Sequence, residues 1–410
     1  MRMDRGKSIE RFVGMMWMEK TINECFFQIQ NGANIKQGDV EGGFPITRIE
    51  TTANDKFNRD RMGYAGITDI SKYEAYVLED GDLLMSHINS VQYLGRTVLY
   101  VKQPDETIIH GMNLLRLKAR RNIINPAYAR YCFYGHTFRC QIGNITKKSV
   151  NQASFAVKDL KQIKIEVPSL DVQNKVVVIL DRVQKLIDMR NNELASLDNL
   201  IKARFVEMFG DPSTNTRKWD ECILSEKLNV VGGYAFKSDQ FDEKDGIPVL
   251  RIGNINAGFF RPINLVYWKE DESLERYIMH PGDLVMSLTG TVGKDDYGNV
   301  CILGDDYKKY YLNQRNAKLE IKEGIDKYYL SQLLKFEQIK KRLTGISRGV
   351  RQANISNKDI LNLVVPVPPI ELQNRFADFV HQVDKSKVAV QKALDETQLL
   401  FDSLMQKYFG

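Results

Sequence analysis

The chain consists of two similar halves, and this internal repeat limits its fold more than any other feature. Residues 149–210 align with residues 349–410 without a gap, and 15 of the 62 aligned positions are identical. Upstream, Gly81-Asp-Leu-Leu-Met-Ser86 corresponds to Gly282-Asp-Leu-Val-Met-Ser287. Between such matches the halves differ. Simple drift after duplication would scatter the differences evenly, so this pattern favours one scaffold with two different recognition surfaces.

Composition excludes several classes of protein. The 410 residues are 43% hydrophobic and 27% charged, as in ordinary globular proteins rather than disordered or collagen-like ones. No run of about 18 apolar residues occurs, and residues 1–20 lack an apolar signal segment, so we predict a cytoplasmic protein without a membrane span. The five scattered cysteines predict reduced thiols. The net charge of +6 permits binding to a polyanion.

The constant part of each half predicts a long helix. Apolar residues recur at steps of three and four between Pro168 and Gly210, and again between Pro368 and Gly410. About 38 residues at 1.5 Å each give a rod of about 57 Å, which has no core of its own. Because the two apolar stripes share a register, we predict that the helices pair as an antiparallel coiled coil. The alternative is that each helix packs on its own front.

The variable fronts predict mixed β-sheets with helices. The predicted strands are Phe44–Ile49, Asp82–Ser86, Arg96–Val101, Leu114–Lys118 and Gln162–Val167, and in the second half Ile247–Ile252, Asp283–Ser287, Val300–Leu303, Ala317–Ile321 and Asn362–Val367. In each front we predict a helix that carries core aromatic residues, with bodies at Tyr128–Phe138 and Tyr328–Leu343. Asn125-Pro126 and Ile325-Asp326 open these helices.

The predicted fold class is therefore α+β: two pseudo-repeated domains separated by two long antiparallel helices. The predicted boundaries are 1–168 for the first recognition domain (1–18 being an N-terminal extension), 169–210 for the first long helix, 211–366 for the second recognition domain and 367–410 for the second long helix.

No catalytic constellation recurs in the two halves. Asn125-Pro-Ala-Tyr128 has the form of a capped helix start rather than a methyltransferase motif, and Gly290-Thr-Val-Gly293 is too tightly spaced for a phosphate-binding loop. The five histidines lack metal-ligand spacing. What recurs is Gly-Asp, Gln-Ala, Val-Pro and Gln-Asn, which suit turns and packing. We therefore predict a chain that binds rather than catalyses.

Candidate DNA-binding residues lie in a polar loop that precedes the long helix in both halves. Lysine and arginine neutralise phosphates, whereas Asn, Gln and Arg can contact base edges. The loop residues are Lys147, Lys148, Asn151 and Gln152 in the first half and Arg348, Arg351 and Gln352 in the second. Weaker candidates are Arg48, Arg251, His87, Asn89, Arg96, Lys294 and Arg315.

Over nearly its whole length, the sequence resembles the specificity subunit of type I restriction-modification systems. The resemblance rests on the two-fold repeat, the Gly-Asp-Leu strands and the order of the following motifs. These are Val167-Pro-Ser-Leu-Asp-Val-Gln173, Val367-Pro-Pro-Ile-Glu-Leu-Gln373 and Met208-Phe-Gly-Asp-Pro212. Ser169 stands where the second half has Pro369.

The resemblance implies a non-catalytic subunit that binds double-stranded DNA. Each front would be a target-recognition domain that reads one half of a split, asymmetric site, and the helices would fix the gap. The implied partners are two methylation subunits and restriction subunits, without a membrane. S-adenosylmethionine, ATP and Mg²⁺ would act on those partners, and this chain would bind no cofactor and no metal.

Two alternatives stay open from the residues alone. One is a nuclease or fused methyltransferase with an unrecognised site. The other is a scaffold that joins proteins without touching DNA. Incubation of the purified chain with DNA, Mg²⁺ and S-adenosylmethionine distinguishes an enzyme from a protein that only binds DNA. A salt-dependent filter-binding assay distinguishes a DNA-binding protein from a scaffold that does not bind DNA.

The helix prediction has a measurable consequence for spacing. Four residues inserted into one long helix add about 6 Å. We expect the gap between the half-sites to change by about one or two base pairs, since a turn of DNA is about 34 Å long. Sequencing of modified bases measures the gap, and an unchanged gap would refute the role of the helices as a ruler.

Overall fold

The structure is a computed structural model that describes residues 17–37, 43–149, 152–256, 258–291, 296–345 and 352–410. It divides into two compact units, which comprise residues 1–191 with 392–410 and residues 192–391. Within the described ranges, no helix has the length and apolar character that crossing a membrane requires.

The first unit is built on a four-stranded antiparallel sheet in the order Phe26–Asn31, Leu114–Ala119, Leu83–Ser86, Thr97–Leu99. Its remaining strands are Met18–Thr21, Pro45–Ile46, Gly63–Tyr64, Ile88–Asn89, Lys147–Lys148, Ala153–Ser154 and Lys164–Val167. Its short helices are Ile22–Cys25, Pro126–Tyr134, His136–Ile145 and Val157–Gln162.

The second unit repeats this sheet in the order Leu228–Gly232, Asn316–Ile321, Leu284–Ser287, Val300–Ile302. It adds a mixed four-stranded sheet of Val266–Trp268, Ile247–Leu250, Tyr310–Leu312 and Ile278–Met279. Its remaining strands are Glu221–Ile223, Thr289–Thr291, Gln352–Asn354 and Val364–Pro366. Its short helices are Ile252–Ile255, Lys327–Leu334, Glu337–Thr344 and Asn357–Leu361.

Both predicted long helices are confirmed. They extend over Leu170–Phe209 and Ile370–Phe409, directly after the proline segments. Gly210 ends the first helix with φ +79°, the left-handed conformation that glycine adopts most readily at a helix end. Each compact unit contains the beginning of one long helix and the end of the other, so the units cut across the boundaries predicted at the helix starts.

In the first unit, the two helix segments run antiparallel. The Tyr128 ring packs against Phe409, with centroids 5.2 Å apart. One turn further along its helix, Tyr131 donates a hydrogen bond to Asp181 and packs against Phe401. The two long helices therefore run in opposite directions along the front helix, and both contribute side chains to the same apolar core.

The second unit has the same arrangement with the helices exchanged. Phe376, near the start of the second long helix, packs against Phe205 and Phe209, near the end of the first. Farther along, Lys387 pairs with Asp198 at 2.7 Å. Burial of several aromatic side chains in one cluster contributes a large part of the stability of such a core. The antiparallel prediction thus holds within each unit.

A buried glutamine fixes the start of each long helix. Gln173 and Gln373 have no solvent-exposed surface. The side chain of Gln173 accepts from the backbone N–H of Asn125 and donates to the Pro168 carbonyl. Gln373 forms the same bonds with Asp326 and Pro368. The repeated glutamine therefore ties the long helix to the capping residue of the front helix in both units.

The predicted front helices begin where expected but are not continuous. The Asn125 and Asp326 side chains cap them, as predicted. The prediction of one unbroken helix in each front is wrong, because the chain leaves the helical conformation at Gly135 and at Phe336. At Gly135 a Cβ atom would lie 2.4 Å from Cβ of Phe409, so a side chain there would exclude the end of the second long helix.

The predicted strands are present but most are shorter than predicted. Phe44–Ile49 is reduced to Pro45–Ile46, and the first residues of the strands predicted at Gln162 and Asn362 belong to short helices or turns instead. The strand Met18–Thr21 was missed and pairs with Lys164–Val167. Met18, assigned to the N-terminal extension, therefore belongs to the folded unit, and residues 1–16 lie outside the described residues.

The buried glutamines predict a large effect from a small substitution. Gln173→Ala removes the hydrogen bonds to the part-buried Asn125 N–H and to the Pro168 carbonyl, and we expect a loss of about 2–3 kcal/mol in unfolding free energy. Chemical denaturation measures it. Lys175→Ala, which breaks only an exposed pair with Asp171, is the control and should cost less than about 0.5 kcal/mol. Equal effects would contradict the role of Gln173.

Candidate nucleic-acid interface

A strand of the central sheet leads directly to the candidate surface in both units. Gly81 and Gly282 have φ near +86° and +87°, and the following aspartates accept backbone hydrogen bonds that close the turn. Strand Leu83–Ser86 then continues into Ile88–Asn89, and Leu284–Ser287 continues into Thr289–Thr291. The repeated Gly-Asp thus sets the direction in which each surface strand leaves the sheet.

The first recognition surface, as we name it, comprises Ile88–Arg96, Lys147–Lys148 and Gln152–Ser154. Its three short antiparallel strands place Ser154 between Ile88 and Lys147. Neighbouring strands lie about 4.8 Å apart, so this row spans about 10 Å. Lys147 and Lys148 are exposed, as is Gln152, whose backbone carbonyl accepts from Ser149. The structure therefore places the two predicted lysines and the predicted Asn89 in one small sheet, on either side of the strand Ala153–Ser154.

Three exposed apolar side chains on this surface were missed by the sequence analysis. Ile88, Val91 and Tyr93 are 38%, 52% and 37% exposed. They are close together in the chain, but their spacing does not distinguish them from core residues. Apolar groups beside lysines suit a DNA groove, where they can contact thymine methyl groups while the ammonium groups neutralise phosphates.

Arg96 is held in place at the edge of the first recognition surface. Its guanidinium lies 4.6 Å from the centroid of the Tyr93 ring, and its Nε lies 2.9 Å from an Asp55 carboxylate oxygen. The Tyr134 hydroxyl donates to the same oxygen. This pairing orients the arginine, whose side chain is 23% exposed.

His87 and Asn89 are less accessible than the sequence analysis assumed. His87 is 6% exposed and packs edge-on against Phe155, and burial lowers its pKa. Asn89 is half-buried, and its side chain bonds to the Ser90 N–H and to the Ser86 hydroxyl. Both side chains therefore support the surface strand from within.

Arg48 and Arg251 occupy matching positions. The N–H of each donates to the side chain three residues later, which is Thr51 or Asn254. The Arg48 side chain is half-buried, bonds to Gln37 and covers Gly63. Arg251 is exposed and its guanidinium donates to the Asn264 carbonyl.

The second recognition surface comprises Thr289–Thr291, Arg315 and Gln352–Asn354. Gln352 pairs with Thr291 in a two-stranded sheet. Exposed Arg315 lines a small cleft of about 420 Å³ with Thr289 and Thr291. The Thr289 hydroxyl is buried and has no hydrogen-bond partner in the described part of the chain. Polar groups thus replace the apolar ones of the first recognition surface. Asn151, Lys294, Arg348 and Arg351 lie outside the described residues.

The described residues contain no group of three or more His, Cys, Asp and Glu side chains that could hold a metal ion. The cysteines are free thiols. Burial raises the pKa of the Cys25 thiol to about 11 and of Cys301 to about 12, so these thiols are weak nucleophiles at neutral pH.

Comparison with known proteins identifies the class. The family model described as "Type I restriction modification DNA specificity domain" matches residues 16–199 and 216–397. The chain belongs to this family, and the two matches confirm the duplication and the resemblance.

Relatives and solved structures agree with this assignment. The protein assigned as the MjaX specificity subunit of a type I restriction enzyme from Methanocaldococcus jannaschii is 26% identical, over 92% of this chain and 90% of its own. The MjaVIII specificity subunit from the same organism is 25% identical, over 70% of this chain and 71% of its own. The crystal structure of a type I restriction-modification S subunit from M. genitalium has the same fold, with a TM-score of 0.58, 15% identity and coverage of 100% and 98%.

The exposed lysines of the first recognition surface give a test. Replacing Lys147 and Lys148 with Ala should weaken DNA binding and lower the slope of log K against log salt by about 2, because each phosphate contact contributes about 0.9. Fluorescence anisotropy over a salt series measures both. Lys175→Ala with Lys185→Ala, which removes the same charge from the long helix, should leave the slope unchanged. Equal slopes for both double variants would remove these lysines from the interface.

Proposed function

We propose that this chain reads a bipartite, asymmetric site in double-stranded DNA, one half-site with each unit, and directs adenine methylation or restriction by partner subunits. The observation that carries the proposal is the repeat of one scaffold with two different surfaces. The first recognition surface combines Lys147 and Lys148 with apolar side chains, whereas the second carries Thr289, Thr291 and Arg315. Different side chains on equivalent strands read different bases.

In this proposal the chain itself performs no chemistry. Family membership favours the role of a DNA specificity subunit over a nuclease, a fused methyltransferase or a scaffold. S-adenosylmethionine, ATP and Mg²⁺ bind to the partner subunits. The complex is located in the cytoplasm, where it has access to DNA.

The proposed partners are two methylation subunits together with restriction subunits. Both long helices expose apolar side chains that a partner could cover. In the first unit these include Val178, Leu186, Met189 and Leu399, and in the second unit Val388, which is 70% exposed. Exposed apolar residues grouped on a helix mark interaction surfaces.

The primary test is sequencing of modified bases in the host genome with and without the gene. Loss of adenine methylation from one split motif supports the proposal and supplies both half-sites and the gap. If no motif changes, DNA binding by the isolated chain decides whether the system is silent or the proposal is wrong.

If each unit reads its half-site independently, exchange of one front should affect only one half-site. Exchanging residues 19–168 for the front of another family member should change one half-site of the methylated motif and leave the other unchanged, because the second recognition surface is untouched. Sequencing of modified bases reads both half-sites in one experiment. Loss or change of both half-sites would contradict independent reading by the two units.

A further inference from the structure

The second unit contains a large cleft whose lining residues do not belong to its recognition surface. The cleft has a volume of about 1200 Å³ and is lined by side chains from both long helices, from the front helices and from the loop at Gly258 and Phe259. We name it the lysine cleft after Lys202, Lys335, Lys340, Lys341 and Lys387. A cleft of this size exceeds the space that a single small anion fills.

Shared hydrogen bonds define which positions of the two units correspond. The Tyr128 hydroxyl donates to the Glu166 carbonyl, and the Tyr329 hydroxyl donates to the Pro366 carbonyl. Six residues further along the chain, at the ends of these helices, stand Tyr134 and Lys335.

The segments that follow Arg48 in the first unit and Arg251 in the second unit also occupy corresponding positions. Arg48 and Arg251 make matching backbone bonds to Thr51 and Asn254. Seven residues after these arginines stand Asp55 and Gly258. The Asp55–Tyr134 pair of the first unit is thus replaced by Gly258 and Lys335 in the second.

In the first unit the carboxylate comes from the chain itself. The Tyr134 hydroxyl donates to Asp55 at 2.8 Å, and the next residue, Lys56, pairs with Asp188 on the long helix. The segment around Asp55 therefore lies between the front helix and the long helix. This segment supplies a carboxylate in the first unit, whereas the equivalent segment of the second unit carries Gly258 at that position.

In the second unit the carboxylate is missing. Gly258 has φ +79° and no side chain, and a Cβ atom built on it would lie 3.9 Å from Nζ of Lys335. Within the described ranges, the Lys335 ammonium forms neither a hydrogen bond nor an ion pair. Lys335 is exposed, and desolvation by the walls of the cleft together with the nearby Lys387 lowers its pKa, whereas Asp198 and Asp384 raise it.

The neighbouring acids already have partners. Lys387 lies 2.7 Å from Asp198 and 3.8 Å from Asp384, and Lys341 pairs with Glu337. A peptide suits the cleft, because it can place one carboxylate at Lys335 and cover exposed Phe259 with apolar groups.

We propose that the lysine cleft binds an acidic segment of a methylation subunit, whose carboxylate pairs with Lys335 as Asp55 pairs with Tyr134 in the first unit. The inference rests on the proposed function, because it requires the partner. It makes the two units unequal towards their partners: the first supplies this carboxylate from its own chain, and the second receives one from the partner.

Carbodiimide coupling tests the contact directly, because it joins a lysine amine to a carboxylate without a spacer. The copurified complex with the methylation subunit is coupled, digested and analysed by mass spectrometry. We expect Lys335 to be joined to an Asp or Glu of the methylation subunit. Lys335→Arg, which keeps the charge but cannot be coupled in this way, is the control. Coupling of Lys335 only to Asp198 or Asp384 of its own chain would overturn the proposal.

A second experiment supplies the carboxylate from the chain itself, by substitution of Gly258. Gly258→Asp supplies the missing carboxylate, and Gly258→Asn has a similar backbone cost at positive φ without the charge. We expect the affinity for the methylation subunit to fall about tenfold in Gly258→Asp relative to Gly258→Asn, as measured by titration calorimetry. Equal affinities would overturn the proposal, and thermal unfolding shows whether both variants are folded.

The remaining outcomes separate this inference from the proposed function. If DNA without the partner protects Lys335 from acetylation, the cleft is a phosphate site and the proposal fails. If the complex assembles and reads its DNA motif without the Lys335 coupling, only this inference fails. If no methylation subunit copurifies, the proposed partners and this inference fail together.

Discussion

The structure depends on the packing of each long helix against the core of both compact units. A 40-residue amphipathic helix cannot bury its apolar stripe alone, and each front lacks part of its core. In the first unit, Phe401 and Phe409 of the second long helix complete the cluster around Tyr128. In the second unit, Phe205 and Phe209 of the first long helix do the same around Phe376. Neither front has a complete core without the helix that begins after the other front.

The buried amides of Gln173 and Gln373 make this packing specific. Apolar stripes with three- and four-residue steps permit helices to slide by a turn, whereas a buried amide must satisfy its hydrogen bonds in one place. Each glutamine bonds to the proline carbonyl before its own helix and to the capping residue of the front helix. The glutamines therefore fix the position at which each long helix begins.

The same frame carries two different surfaces because the parts that hold the fold are separate from the parts that face solvent. The Gly-Asp turn, the central sheet and the helix starts recur, while the strands that continue from them differ in side chains. The replacement of Asp55 by Gly258, and of Tyr134 by Lys335, shows that divergence also reaches the contacts between front and helix. The two units are thus alike in backbone and unequal in chemistry.

The sequence by itself determined the duplication, both long helices with their ends, and most central strands. These features rest on local signals, such as Pro168 and Gly210, or on comparison of one half with the other. Only the tertiary structure decided the break at Gly135, the pairing of Met18–Thr21 with Lys164–Val167, the burial of His87 and the position of Lys335 beside Gly258. Each of these depends on residues far away in the chain that come into contact only after folding, and a local pattern carries no information about them.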